Sequence, residues 1–176
     1  MRGIGKTALV EAISNDLNIS RIHVSRELIA YCQSVTGFTM LGVDVSTRDR
    51  IREEYGDALA TRLGQYKSTV ALDLHLSDYR EGGKIIQPRC MLEVITNLVV
   101  LDASLEAILN RRILDHSKVR VLDIEEMKRE KSVFDAVVEK VVKDTELPCA
   151  AVNAEGGFAE IVQRLEYTVT EICMRS

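Results

Sequence analysis

The chain has 176 residues, enough for one compact domain and too few for two ordinary ones. It is 46% hydrophobic with only 2 Pro and 10 Gly, which suits a filled core and excludes a disordered chain. A net charge of −4 argues against bulk nucleic-acid binding, the four cysteines form no C-x-x-C pair, and no apolar run suits a membrane span or signal peptide, so a cytoplasmic location is expected.

At the start, Gly5-Lys6-Thr7 fills the last three places of the phosphate-binding pattern G-x-x-x-x-G-K-[ST], whose first glycine would fall one residue ahead of Met1. Gly3 and Gly5 let the backbone turn tightly, so that the loop through Ile4 aims its N–H groups at phosphate oxygens. Lys6 brings a cation for the β- and γ-phosphates, and the Thr7 hydroxyl can bind Mg²⁺. Apolar, helix-favouring residues follow, and a helix is predicted over 7–16, which puts the loop at a helix N-terminus.

Periodicity then predicts a short strand over 21–25, a helix over 26–36 and a loop over 37–45. Ser46 is expected to cap a helix with Asp49 in its first turn and Ile51, Tyr55, Ala58, Leu59 and Leu63 as its buried stripe. A buried strand is predicted over 68–73, ending in a polar loop with Gly82-Gly83, and another over 97–102. Ser104 caps a helix to about Ile113. Asp123 to Glu126 has capping-box spacing and opens a helix through Lys143 with the stripe Ile124, Met127, Phe134, Val137, Val138 and Val141. Pro148 forbids its continuation. Residues 149–153 read as the final strand, and Phe158, Ile161, Val162, Leu165, Val169 and Ile172 mark the face of the last helix.

Strands alternating with helices predict an α/β fold of three layers, a parallel sheet with helices on both faces. Four strands are legible. A phosphate loop normally hangs from a central strand, so a fifth is expected upstream, within about ten further residues ahead of Met1. The loops leaving Asp73 and Asp102 should lie on the same sheet edge as Lys6.

Three constellations could carry chemistry. Asp73 and His75 form Asp-x-His at a strand end, where an acid orients Mg²⁺ opposite Thr7 and a histidine touches phosphate or positions an acceptor. Arg111, Arg112, Lys118 and Arg120 cluster at a helix end and in the loop beyond, placed to close over a transferring phosphoryl group. Arg26, beside Ser25 and Glu27, is a weaker candidate for a second substrate's phosphate. Arg48, Arg50 and Arg52 share their helix face with Asp49, Glu53 and Glu54, which reads as an ordinary ion-paired surface.

This order of landmarks resembles the archaeal-type adenylate kinases. The similarity is strongest from Val70 to Arg120, in Leu72-Asp73-Leu74-His75, the loop from Gly83 to Pro88, the run from Leu98 to Asp102, and Ile108 to Asp115. Arg2 stands where that family usually has proline, Lys118 where it often has arginine, and residues 25–45 match poorly. The resemblance implies a P-loop kinase fold as a single nucleotide kinase domain over residues 1–176, with a lid segment around 111–122. Such an enzyme moves the γ-phosphoryl of ATP to a nucleoside monophosphate, here AMP, with Mg²⁺. It would place Gly3, Ile4, Gly5, Lys6, Thr7, His75, Arg111 and Lys118 on the nucleotide. Lys6, Asp73, Arg112 and Arg120 would carry catalysis, and Thr7 and Asp73 would hold the metal. An oligomer is compatible with the sequence. Two other classes stay open, a P-loop binding protein without turnover and a fragment of a larger P-loop ATPase.

Overall fold

The computed structural model describes residues 5–78, 84–115 and 122–175. Helix α1 (Lys6–Asp16) starts directly after Gly5 and buries Leu9 and Ile13. Asn18, at a φ of 51°, turns the chain into strand β1 (Ser20–His23). Helix α2 (Val24–Thr36) follows without a loop and ends at Gly37, whose φ of 76° is one that glycine adopts freely.

Helix α3 (Val45–Leu63) is capped by Asp44 and not by the expected Ser46. The Asp44 carboxylate accepts from the Thr47 amide at 2.9 Å, the Thr47 hydroxyl at 2.8 Å and the Ser46 hydroxyl at 2.6 Å. An acceptor-only group takes three donors where one serine takes fewer. Ile51, Tyr55 and Leu59 are buried as predicted, but Ala58 is exposed and Gly56 is buried. Gly56 is covered by an element that the sequence did not reveal, helix α4 (Arg89–Val94) further along the chain, whose entry residue Pro88 packs on it.

Strand β2 (Val70–Asp73) leads into an unpredicted hairpin of β3 (Ser77–Asp78) and β4 (Lys84–Ile85), and α4 (Arg89–Val94) comes next. Strand β5 (Leu98–Asp102), helix α5 (Leu105–Leu114), helix α6 (Ile124–Thr145), strand β6 (Cys149–Asn153) and helix α7 (Phe158–Arg175) complete the chain close to their predicted bounds. Ser104 and Asp123 cap as expected, accepting from the amides of Ala107 at 3.2 Å and Glu126 at 2.7 Å. Ile124 and Phe158, named for the buried stripes, are exposed because each sits at the first position of its helix, beyond the core.

The strands pair in parallel, β1 with β2 and β5 with β6, with His23 opposite Asp73 and Asp102 opposite Asn153. Alternation sorts their side chains between two layers of helices. Val99 and Leu101 of β5 face the cluster of Leu9, Ile13, Ile161 and Leu165 from α1 and α7, while Leu98 and Val100 face Val137 and Val141 of α6. On the other pair, Ile22 and Leu72 join Tyr55 and Leu59 of α3. The expected single sheet is divided: among the described residues β2 and β5 are not hydrogen-bonded to each other. Also among the described residues, no helix is long and apolar enough to cross a membrane.

Candidate functional site

Gly5 adopts a φ of 87°, and a Cβ built on it would meet nothing within 4 Å. The strained conformation and the open space above it are what a loop wrapped around a phosphate needs. Among the described residues no side chain caps α1 at this end, where the N–H groups of its first turn can meet another acceptor.

The side chains that follow converge on Asp73, which ends β2 and is 4% exposed. The Thr7 hydroxyl donates to Asp73 Oδ2 at 2.8 Å. The Lys6 ammonium forms an ion pair with Asp73 Oδ1. Burial pulls the Lys6 pKa down to about 8, which leaves it largely protonated at neutral pH beside its carboxylate.

His23 is the residue that sequence reasoning missed. Its Nδ1 lies 3.0 Å from Asp73 Oδ2, and since a carboxylate only accepts, Nδ1 carries the proton. Burial, then the nearby Arg21 charge, hold the His23 pKa below the usual histidine value. The strand pairing that sets His23 opposite Asp73 joins residues 50 apart, so only the register of β1 on β2 brings them together.

His75 lies just past Asp73 and lines a cavity that Lys6 also lines, while its backbone carbonyl accepts from the Gln87 amide. Arg111 and Arg112 diverge. The Arg111 guanidinium donates to the Ala154 carbonyl in the loop after β6. Arg112, a candidate for the phosphoryl group, is buried at 4% exposure, with its Nη2 2.7 Å from Glu130 Oε2 on α6. It ties α5 to α6. Gly3, Ile4, Lys118 and Arg120 lie outside the described residues. Of the weaker candidates, Arg26 is exposed, and Arg50 and Arg52 pair with Glu54 and Asp49 on their own helix. Asp102 accepts from Lys131 of α6 at 2.6 Å.

These residues fit Mg²⁺ and a nucleotide phosphate. A hydroxyl and a carboxylate converge beside an uncapped helix N-terminus, a lysine and an open glycine turn. Among the described residues no three His, Cys, Asp or Glu side chains are grouped to hold an ion. Mg²⁺ takes one or two protein ligands and completes its shell with phosphate oxygens and water, and Thr7 and Asp73 offer such a pair.

No protein-family model matches the sequence. No curated protein matches it either. Among solved structures, a gluconokinase from Sinorhizobium meliloti 1021 is similar over 99% of this chain and 90% of its own, with a TM-score of 0.57 and 16% identity. A likeness at that identity concerns architecture and does not single out the adenylate kinases. The chain has the three-layer α/β fold of the P-loop kinases, its parallel strands covered by helices on both faces.

Proposed function

We propose that this protein is a phosphotransferase that moves the γ-phosphoryl of ATP to a nucleoside monophosphate, AMP. One observation carries the reading: Lys6 and Thr7, at the uncapped start of α1, both meet the buried Asp73 at the end of β2. Thr7 and Asp73 would hold Mg²⁺, and the loop amides with Lys6 would hold the phosphates. Bound Mg²⁺ and ATP supply the phosphoryl group and neutralise charge developing on its oxygens.

The chain's own residues bind and orient. In the free protein Asp73 is the counter-ion of Lys6, a place that a phosphate oxygen takes over when nucleotide enters. The His23 Nδ1–H holds Oδ2 and so fixes the carboxylate plane. Arg111, which reaches the loop after β6, would contact the nucleotide, and His75 would touch its phosphates or position the acceptor. The Lys6 charge and the α1 amides act on charge that grows in the transition state, which is where electrostatic stabilisation raises the rate.

The test is ADP formation from Mg²⁺ and ATP with AMP, CMP, UMP, GMP and gluconate as separate acceptors. Fastest turnover with AMP is expected. A preference for gluconate or another base would change the acceptor and keep the transfer chemistry. Absence of acceptor-dependent ADP with every compound would refute the reading.

A further inference from the structure

Asp73 is held from two layers of the fold. The Lys6 ammonium on Oδ1 and the Thr7 hydroxyl on Oδ2 both come from the first turn of α1. The His23 ring reaches Oδ2 from β1, at 3.0 Å, so of these three donors only His23 belongs to the sheet. The carboxylate is 4% exposed, which leaves water little part in fixing it. The terminal torsion of an aspartate has no sharp staggered wells, so its partners decide where each oxygen points.

Those partners pull unequally. An ammonium attracts a carboxylate more strongly than a hydroxyl does. With α1 alone supplying donors, the carboxylate could turn onto Lys6 at the expense of Thr7. The His23 Nδ1–H opposes that turn by holding the very oxygen that Thr7 uses. By accepting the Thr7 proton, Oδ2 in turn leaves the lone pairs of that hydroxyl to a metal ion.

The place of His23 in the chain agrees with this role. It ends β1 and is the N-cap residue of α2, yet its side chain makes no capping bond there. Serine, threonine, aspartate or asparagine would serve that helix better. The ring acts instead across the sheet, on the aspartate that the register of β1 on β2 sets opposite it.

We infer that His23 is a positioning residue for Mg²⁺, its Nδ1–H keeping Asp73 Oδ2 on Thr7 against the pull of Lys6. The inference rests on the reading of Thr7 and Asp73 as the residues that hold the ion. It adds that the β1 histidine, and not α1 alone, aligns the pair. Groups that orient metal ligands in this way typically matter by about 10- to 100-fold in affinity for the ion. Lys6 and the loop amides hold phosphate whichever way Oδ2 points, so the effect belongs to the Mg²⁺-dependent part of binding.

The test is calorimetry of ATP, with and without Mg²⁺, on wild type, His23→Leu and His23→Asn. The asparagine amide brings an N–H close to the place of Nδ1, whereas leucine fills the space without a donor. His23→Leu should lose about 10-fold or more of the affinity that Mg²⁺ adds, with Mg²⁺-free ATP binding within about 3-fold of wild type. His23→Asn should restore most of that gain. Equal losses with and without Mg²⁺ would mark a merely structural residue and overturn the inference, as would an asparagine variant no better than the leucine one. Should His23→Leu not fold, His23→Gln replaces it, since its amide extends to the place of Nε2 and away from Nδ1. Nitrogen NMR of the free protein at mildly alkaline pH reads the ring without any ligand. A proton on Nδ1 is expected, and a bare Nδ1 with the proton on Nε2 would overturn the inference. A wild type to which Mg²⁺ adds no ATP affinity would refute the metal reading of Thr7 and Asp73, and this inference with it. A Mg²⁺ gain that His23→Leu keeps in full would remove the role of His23 alone.

Discussion

Replacing Glu130 with Ala should destabilise the protein far more than removing a surface carboxylate. Arg112 has a side chain 2% exposed and Glu130 one 14% exposed, with 2.7 Å between them, and the pair joins α5 to α6. Glu130→Ala takes this carboxylate away from a buried guanidinium. Removing one partner of a buried pair costs about 3–5 kcal/mol, against about 0–1 kcal/mol for an exposed one. Glu130 keeps some contact with water, so about 3 kcal/mol is expected. For a domain of this size about 1 kcal/mol corresponds to about 2–4 °C, giving a fall in Tm of about 6–12 °C. Urea unfolding of wild type, Glu130→Ala and the double variant Arg112→Met with Glu130→Leu reads the effect directly. The double variant should recover most of the loss, because an apolar pair removes the buried charge as well as the bond. A Glu130→Ala protein within about 0.5 kcal/mol of wild type would show that Arg112 is solvated, and the tie between α5 and α6 would fall.

Gly56→Ala should also destabilise, since a Cβ there would meet Pro88 Cγ at 2.5 Å and Cβ at 2.9 Å, on a ring that cannot swing away. Overpacking of about 1–3 kcal/mol outweighs the gain of about 1 kcal/mol in helix propensity; a stabilised variant by urea titration would contradict the packing of α3 on Pro88. Lys6 titrates at about 8 in the free protein, so ATP affinity should weaken as pH rises through that value, while Lys6→Arg should hold its affinity. Stability should move oppositely: a folded pKa below the ordinary 10.5 means the unfolded chain binds more protons between the two values, so the Lys6 contribution rises with pH there. A flat affinity profile by calorimetry from pH 7 to 9.5 would detach Lys6 from phosphate.

Much of the fold was legible because long amphipathic helices and caps are local signals. The Ile161 and Leu165 stripe and the caps at Ser104 and Asp123 needed only residues a few positions apart. The two-residue strands of the hairpin and the six-residue α4 are too short for periodicity to show. In the candidate site, Gly5, Lys6, Thr7 and Asp73 came from motif and strand-end position, and the structure brings Lys6 and Thr7 onto Asp73. His23 stayed hidden because its partner is set by strand register. The Arg112 partner stayed hidden for a similar reason: a pair of arginines at a helix end says nothing about a glutamate 18 residues on, on α6. Burial is a tertiary property, and it overturned the reading of Ala58 as part of the buried stripe.

The account rests on phosphate being held at the start of α1, and titration of Mg²⁺–ATP into wild type and Lys6→Ala by calorimetry tests this most directly. Lys6→Ala removes the ammonium group and leaves Gly5, Thr7 and Asp73 in place. Losing a charge-assisted contact of about 1.5–3 kcal/mol should weaken binding by about 10- to 100-fold with unchanged circular dichroism. Equal affinity in the two proteins, both folded, would contradict the account at its base.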